Sequence, residues 1–210
     1  MKQRTKLALF VGQGPSMTCW EEAVERAKKH GRVGMGVESF AEDYCARVAI
    51  TGRLGEFIAK LLGVHRLWLY ARIDRVNLNA QWNGKQGEGD RFIAFEGRKR
   101  ALDLNIYDRN KRVVLLGQRV AESFGIHADF LEVLRFNGKR YLLFPHPSGI
   151  NRWWNEPGNR LRAQKALKRF LKLDGKETKR KGERVHGRAK TALVAPPTPG
   201  QLPAAPRRSA

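Results

Sequence analysis

An α/β sandwich with a largely parallel sheet is the fold class this sequence predicts. Two observations carry it: short apolar runs of strand length alternate with longer stretches of helical spacing, and several of those runs end abruptly at glycine or proline. In chain order, Leu7-Ala8-Leu9-Phe10-Val11 reads as a buried strand stopped by Gly12. Glu21 to His30 and Gly55 to Leu62 have helical spacing, the second with Phe57, Ile58, Leu61 and Leu62 on one face. Leu67-Trp68-Leu69-Tyr70 and Asp74 to Leu78 are expected to be extended, and Arg91 to Leu104 helical. Arg112-Val113-Val114-Leu115-Leu116 is the clearest strand, after which Gly117 opens a helix through Phe124. Tyr141-Leu142-Leu143-Phe144 is the last strand and runs directly into Pro145-His146-Pro147-Ser148. From Glu156-Pro157 a basic helix continues to about Leu173, with Leu161, Leu167, Phe170 and Leu171 as its buried stripe.

The 210 residues carry 41 Lys and Arg against 20 Asp and Glu, a formal charge of +21. A field of that sign attracts phosphate polymers or anionic surfaces, and it says nothing about fold. Residues 160 to 210 alone hold 15 basic and 3 acidic residues. Five of the nine prolines fall between Pro196 and Pro206, where no apolar periodicity survives. The expected organisation is therefore a folded unit over 1–174 and a basic, Pro/Ala-rich disordered tail over 175–210. No apolar run approaches the ~18 residues that a membrane span requires. Leu7 to Val11 is also too short for a secretory core of ~7–15 residues. Cys19 and Cys45 are too few for a four-thiolate cluster or zinc site, and a reduced intracellular compartment is expected.

Three segments could carry chemistry. Gly12-Gln13-Gly14-Pro15-Ser16 follows the first strand, and its glycines let main-chain N–H groups face a ligand at a strand's carboxyl end. It has neither the spacing nor the lysine of a phosphate-binding P-loop. Phe144-Pro145-His146-Pro147-Ser148-Gly149-Ile150-Asn151-Arg152 brackets an imidazole between two prolines, where it could donate to a developing oxyanion. In the same segment Ser148 and Arg152 suit phosphate, and Ile150 has the character of an apolar wedge that opens a base stack. Val76-Asn77-Leu78-Asn79-Ala80 offers Asn side chains whose amide can donate and accept at the edge of a pyrimidine. Taken singly, each also fits a structural role: a tight turn, a histidine beside a proline turn with Trp153 and Trp154 as core, and a strand-end Asn.

Together and in this order the segments resemble the uracil-DNA glycosylase superfamily. Gly12-Gln13-Gly14-Pro15-Ser16 is similar to the family's first motif, written G-Q-D-P-Y, G-x-N-P-G or G-E-G-P-G. Pro145-His146-Pro147-Ser148-Gly149-Ile150-Asn151-Arg152 is similar to its second, H-P-S-P-L in the uracil-specific branch and N-P-S-G-L-x-R in the mismatch-specific uracil/thymine branch. Leu78-Asn79-Ala80 resembles the strand that bears the base-reading Asn. Weaker similarities lie at Thr51-Gly52-Arg53-Leu54-Gly55 and Val114-Leu115-Leu116-Gly117, so the likeness spans residues 6 to about 170.

The resemblance implies a three-layer α/β/α sandwich around a mostly parallel four-stranded sheet. It also implies hydrolysis of the N-glycosidic bond of uracil or a related damaged base flipped out of DNA, without a cofactor or a metal. Within it, His146 and Gln13 are the expected catalytic residues: His146 donates to the uracil O2, and Gln13 orients water. Gly12, Gly14, Pro15, Ser16 and Asn79 are expected to bind the base, and Ser148, Gly149, Ile150, Asn151 and Arg152 to bind DNA. Phe40, Tyr44 and Ile50 compete for the place of the stacking aromatic. This chain departs from the family where its acidic members carry a carboxylate, because Gln13 and Gly14 stand there instead. The alternative expectation is a non-catalytic DNA-binding relative that recognises modified bases or abasic sites. The expected partner is DNA, with no membrane, and the expected state is a monomer inside the cell, nuclear in a eukaryotic host.

Overall fold

The computed structural model describes residues 6–82, 84, 91–148 and 151–173. The sequence-predicted tail 175–210, together with Gly149 and Ile150, lies outside the described residues. Among the described residues no helix is long and apolar enough to cross a membrane.

Five strands form one sheet: β1 Leu9–Gly12, β2 Asp74–Asn77, β3 Arg112–Leu116, β4 Val133–Phe136 and β5 Lys139–Phe144, in the order β2-β1-β3-β5-β4. The first four in that order run parallel, and β4 pairs antiparallel with β5 at the edge. Side chains alternate across the sheet as a period of two requires. Phe10, Val114, Leu116, Leu142 and Phe144 face one way, with Leu9, Val11, Val113, Leu115 and Leu143 facing the other. Helices α3 (Gly52–Leu62), α4 (Arg66–Arg72) and α7 (Asn159–Leu171) cover the first face through Ile58, Leu62, Leu69, Leu167 and Phe170. On the second face, α5 (Ala94–Tyr107) and α6 (Gln118–Ser123) contribute Ala101, Val120 and Ala121. The result is the expected α/β/α layering. Helices α1 (Met17–Lys29) and α2 (Met35–Ala46) pack together around a small cluster of Cys19, Ala23, Ala41 and Cys45.

Three expectations need correction. The sheet has five strands rather than four, because Asn137 and Gly138, both at positive φ (48° and 74°), turn β4 back along β5 as a hairpin. Leu67 to Tyr70 is helical, not extended. His65 Nδ1 accepts from Leu67 N at 3.3 Å to cap α4, which buries Leu69 and leaves Leu67 65% exposed, an outcome a short apolar run cannot distinguish by itself. Leu161 is exposed, because the buried stripe of α7 runs through Ala163, Leu167, Phe170 and Leu171 on the opposite side of the helix.

Candidate active site at the carboxyl edge of the sheet

From β1 the chain crosses to β2 on one side and later returns as β3 on the other, so the order reverses between β1 and β3. In open sheets of this kind the crevice outside the carboxyl ends at that reversal is where ligands bind. All four parallel strands release their loops at this edge. Main-chain hydrogen bonds tie the loops together: Leu78 N donates to Gly12 O at 3.0 Å, Asn79 N to Gln13 O at 2.8 Å, and Gly117 N to Phe144 O at 2.9 Å.

Gly117, the first residue beyond β3, sits at the centre of this arrangement. Its backbone (φ 97°, ψ 161°) is in a region essentially closed to residues with a side chain. A Cβ at that position would lie 3.2 Å from His146 Cβ and 3.6 Å from Gln13 Nε2. The absent side chain thus lets the histidine loop after β5 and the glutamine loop after β1 approach one point from two sides.

His146 is fixed through its backbone. Its carbonyl accepts from Asn151 Nδ2 at 3.0 Å and from Trp154 Nε1 at 2.9 Å. The Trp154 ring is itself wedged edge-on against Phe57 and Trp153, both at 4.8 Å between ring centres. The imidazole, by contrast, has no hydrogen-bond partner among the described residues. Burial holds its pKa below the ordinary 6.5, so the ring is neutral at physiological pH. A neutral imidazole carries a single N–H donor, suited to an oxygen that gains negative charge. Beside it Gln13 is half-buried, and its amide can both donate to and accept from a water.

The rest of the first motif shapes the loop. Gly12 is buried with Asn77 Oδ1 directly over it, where a Cβ would meet that oxygen at 2.6 Å. Pro15 is buried. Ser16 is exposed and accepts from Cys19 N at 3.2 Å through its hydroxyl, capping α1. Gly14 is half-buried between them.

In the second motif Ser148 is half-buried and Arg152 exposed, the latter opening a 3-10 turn over Arg152–Asn155. Asn151 folds back onto its own loop, with Oδ1 accepting from Trp153 N at 3.1 Å while Nδ2 holds His146. Its visible part is positioning the imidazole.

Asn79 is fully buried, and its amide is engaged internally. Nδ2 donates to Ile93 O (3.2 Å) and Glu96 Oε2 (3.1 Å), and Oδ1 accepts from Ile93 N (3.3 Å). It therefore fastens the start of α5 to the end of β2. Of the three candidates for a stacking aromatic, Ile50 is buried in the core at positive φ (54°) and Phe40 lies against His30. Tyr44 lines a cleft of about 650 Å³ together with Ser16, Thr51 and Arg53.

Three residues of this edge have roles that the sequence does not assign to them. Gly117 is legible in the sequence as a helix opener at the end of a weak family similarity, not as the point where two loops meet. Asn77 stands with Asn79 in the segment suited to a pyrimidine edge, yet its Nδ2 donates to Cys45 O at 2.9 Å and its oxygen covers Gly12, so it braces the first-motif loop. Glu96 gave no signal, since its tie to Asn79 depends on where α5 begins. No family model matches this chain, and no curated protein matches it either.

Proposed function

We propose that the protein is a DNA glycosylase of the uracil-DNA glycosylase type, hydrolysing the N-glycosidic bond of uracil or a related damaged base and leaving an abasic site. The observation that carries this reading is the meeting of Gln13 and His146 over Gly117 at the strand-order reversal. The order of the motifs along the chain supports it further. A base inside a duplex hides its glycosidic carbon, so the target nucleotide must first leave the stack. As the bond from sugar to base lengthens, negative charge collects on the base, and the His146 N–H donates to the O2 carbonyl where that charge develops. Gln13 directs a water toward the opposing face of the sugar carbon. The water oxygen bonds to that carbon, and its proton leaves to solvent or to the departing base. Ser148 and Arg152 take flanking phosphates, a positioning role that carries no sequence information. Asn79 reads the base edge by exchanging its Glu96 contact for the base. On this reading the partner is DNA, and the protein acts as a monomer inside the cell, in the nucleus of a eukaryotic host.

The internal engagement of the Asn79 amide and the lack of a carboxylate at Gln13 and Gly14 favour a second reading, a non-catalytic relative that binds modified bases or abasic sites. One assay separates the two. Purified protein is incubated with a uracil-containing oligonucleotide, then with alkali to convert abasic sites to strand breaks. The glycosylase reading expects breaks that fall ~10²–10³-fold in rate in His146→Ala, the loss typical of one well-aimed donor. Tight binding to uracil-bearing or abasic DNA, with no release of uracil or of deaminated or oxidised pyrimidines above the His146→Ala control, decides for the binder.

A further inference from the structure

Cys19 and Cys45 take no part in the chemistry above, yet they lie together. Cys19 is in the first turn of α1 and Cys45 near the end of α2, with their sulfurs 3.9 Å apart and both thiols free. Their surroundings differ. Cys45 is fully buried, and its Sγ also approaches Cys19 O at 3.8 Å. Cys19 is 5% exposed and borders the cleft of about 650 Å³ beside Ser16, Thr51 and Arg53, so of the two cysteines it is the one that a small oxidant can approach.

We infer that Cys19 and Cys45 form a peroxide-sensitive dithiol, in which Cys19 is the attacking sulfur and Cys45 the resolving one. Chemistry separates the roles as position does. The hydrogen bond from Cys45 lowers the Cys19 thiol to about 7 against the opposing effect of burial, with Thr51 adding to the lowering. The first turn of α1 favours negative charge at the same place. The Cys45 thiol is pushed up by its hydrogen bond to Cys19 and by burial, so it holds its proton.

The reaction balances with a hydroperoxide as oxidant. The Cys19 thiolate attacks the terminal peroxide oxygen, the O–O bond breaks, and the alkoxide or hydroxide leaves with the Cys19 proton as alcohol or water. The resulting sulfenic acid is attacked by Cys45 sulfur, the S–O bond breaks, and water departs with the Cys45 proton. Two thiols are oxidised by two electrons and one peroxide is reduced. The sulfurs must close from 3.9 Å to the ~2.05 Å of a disulfide, and they start in contact on two packed helices. The bridge would join the helix that Ser16 caps to the helix whose Cys45 carbonyl holds Asn77 over Gly12, so it would brace the first-motif loop from behind.

The test uses the full chain and needs no DNA, so its outcome is independent of whether bases are released. Reduced protein is treated with hydrogen peroxide, denatured, alkylated with N-ethylmaleimide and mapped by peptide mass. The expected result is joint loss of both alkylation sites, a linked Cys19–Cys45 peptide within one chain, and recovery of both sites with dithiothreitol. In Cys45→Ser the oxidised Cys19 should be trapped by dimedone as a sulfenic acid. In Cys19→Ser, Cys45 should remain alkylatable, reacting at least about tenfold more slowly than Cys19 does. Two thiols that stay alkylatable in wild type, a bridge found only between chains, or Cys45 oxidised ahead of Cys19 would each overturn the inference.

Discussion

His146 is a neutral donor because burial opposes its charged form, and that has consequences for both stability and rate. Its folded pKa lies below the unfolded 6.5, so between those two values the unfolded chain binds more protons than the folded one. The contribution is fully present above pH 6.5 and is lost as pH falls through the lowered value. Melting curves of wild type minus His146→Asn across pH should show wild type losing ground on acidification below 6.5, with no divergence above it. On the proposed function base release should stay level through pH 6.5, with the neutral ring as the working form; a rate that rises toward acid through 6.5 would mean the imidazolium is required. Gly117→Ala is the companion test. At φ 97° an added Cβ costs about 1–3 kcal/mol of backbone strain, and at 3.2 Å from His146 Cβ it pushes the imidazole away from Gln13. Urea denaturation should register the strain and the base-release assay the displacement. A variant that is unchanged in both would remove Gly117 from the centre of the site.

Between β5 and α7 the same logic concerns how a loop is held. Trp154→Phe keeps a ring against Phe57 and Phe144 but deletes the Nε1–H that donates to His146 O. Asn151 still reaches that carbonyl, so the cost should be only about 0.5–1.5 kcal/mol by chemical denaturation, with a larger proportional fall in base release than in stability. Equal falls in the two would mean that the tryptophan serves the core alone. Elements of this kind differ in how far the sequence reveals them. β1, β3 and β5 are apolar runs buried on both faces, and such runs are hard to mistake. β4 is an edge, with Val133 and Phe136 at 40% and 49% exposure, so its residues carry no burial pattern; its one signal in the sequence is Asn137-Gly138, a strong hairpin turn. α2 is not legible in the sequence because it buries only Ala41, Cys45 and Ala46, which draw no apolar stripe. In the site, Gln13 and His146 were legible from local motif chemistry. Their meeting over Gly117 was not, because it depends on β3 lying between β1 and β5, a property of the sheet order and not of any segment.

Across the whole molecule the charge is large but unevenly placed, and that separates grip from chemistry. Residues 175–210 hold nine Lys and Arg against two Glu, so ending the chain at residue 174 leaves a formal charge of +14. The side chains that close the core on that side, Leu167, Phe170, Leu171 and Leu173, all precede the cut. Stability by denaturation should therefore change by less than about 0.5 kcal/mol. With DNA as the proposed partner, affinity for it should fall, and the way it falls is informative. Each phosphate that a protein neutralises contributes about −0.9 to the slope of log affinity against log salt, so a shallower slope in the shortened chain counts the phosphates that the tail contacts. Binding titrations at several salt concentrations, run beside single-turnover base release at saturating DNA, distinguish two arrangements. If the tail only grips the backbone, the slope becomes shallower while the saturated rate is unchanged, because His146, Gln13 and Gly117 all sit at the carboxyl edge of the sheet. A saturated rate that drops with the tail would mean that charge beyond residue 174 helps hold the flipped nucleotide against that edge, and an unchanged slope would mean that the tail makes no phosphate contacts.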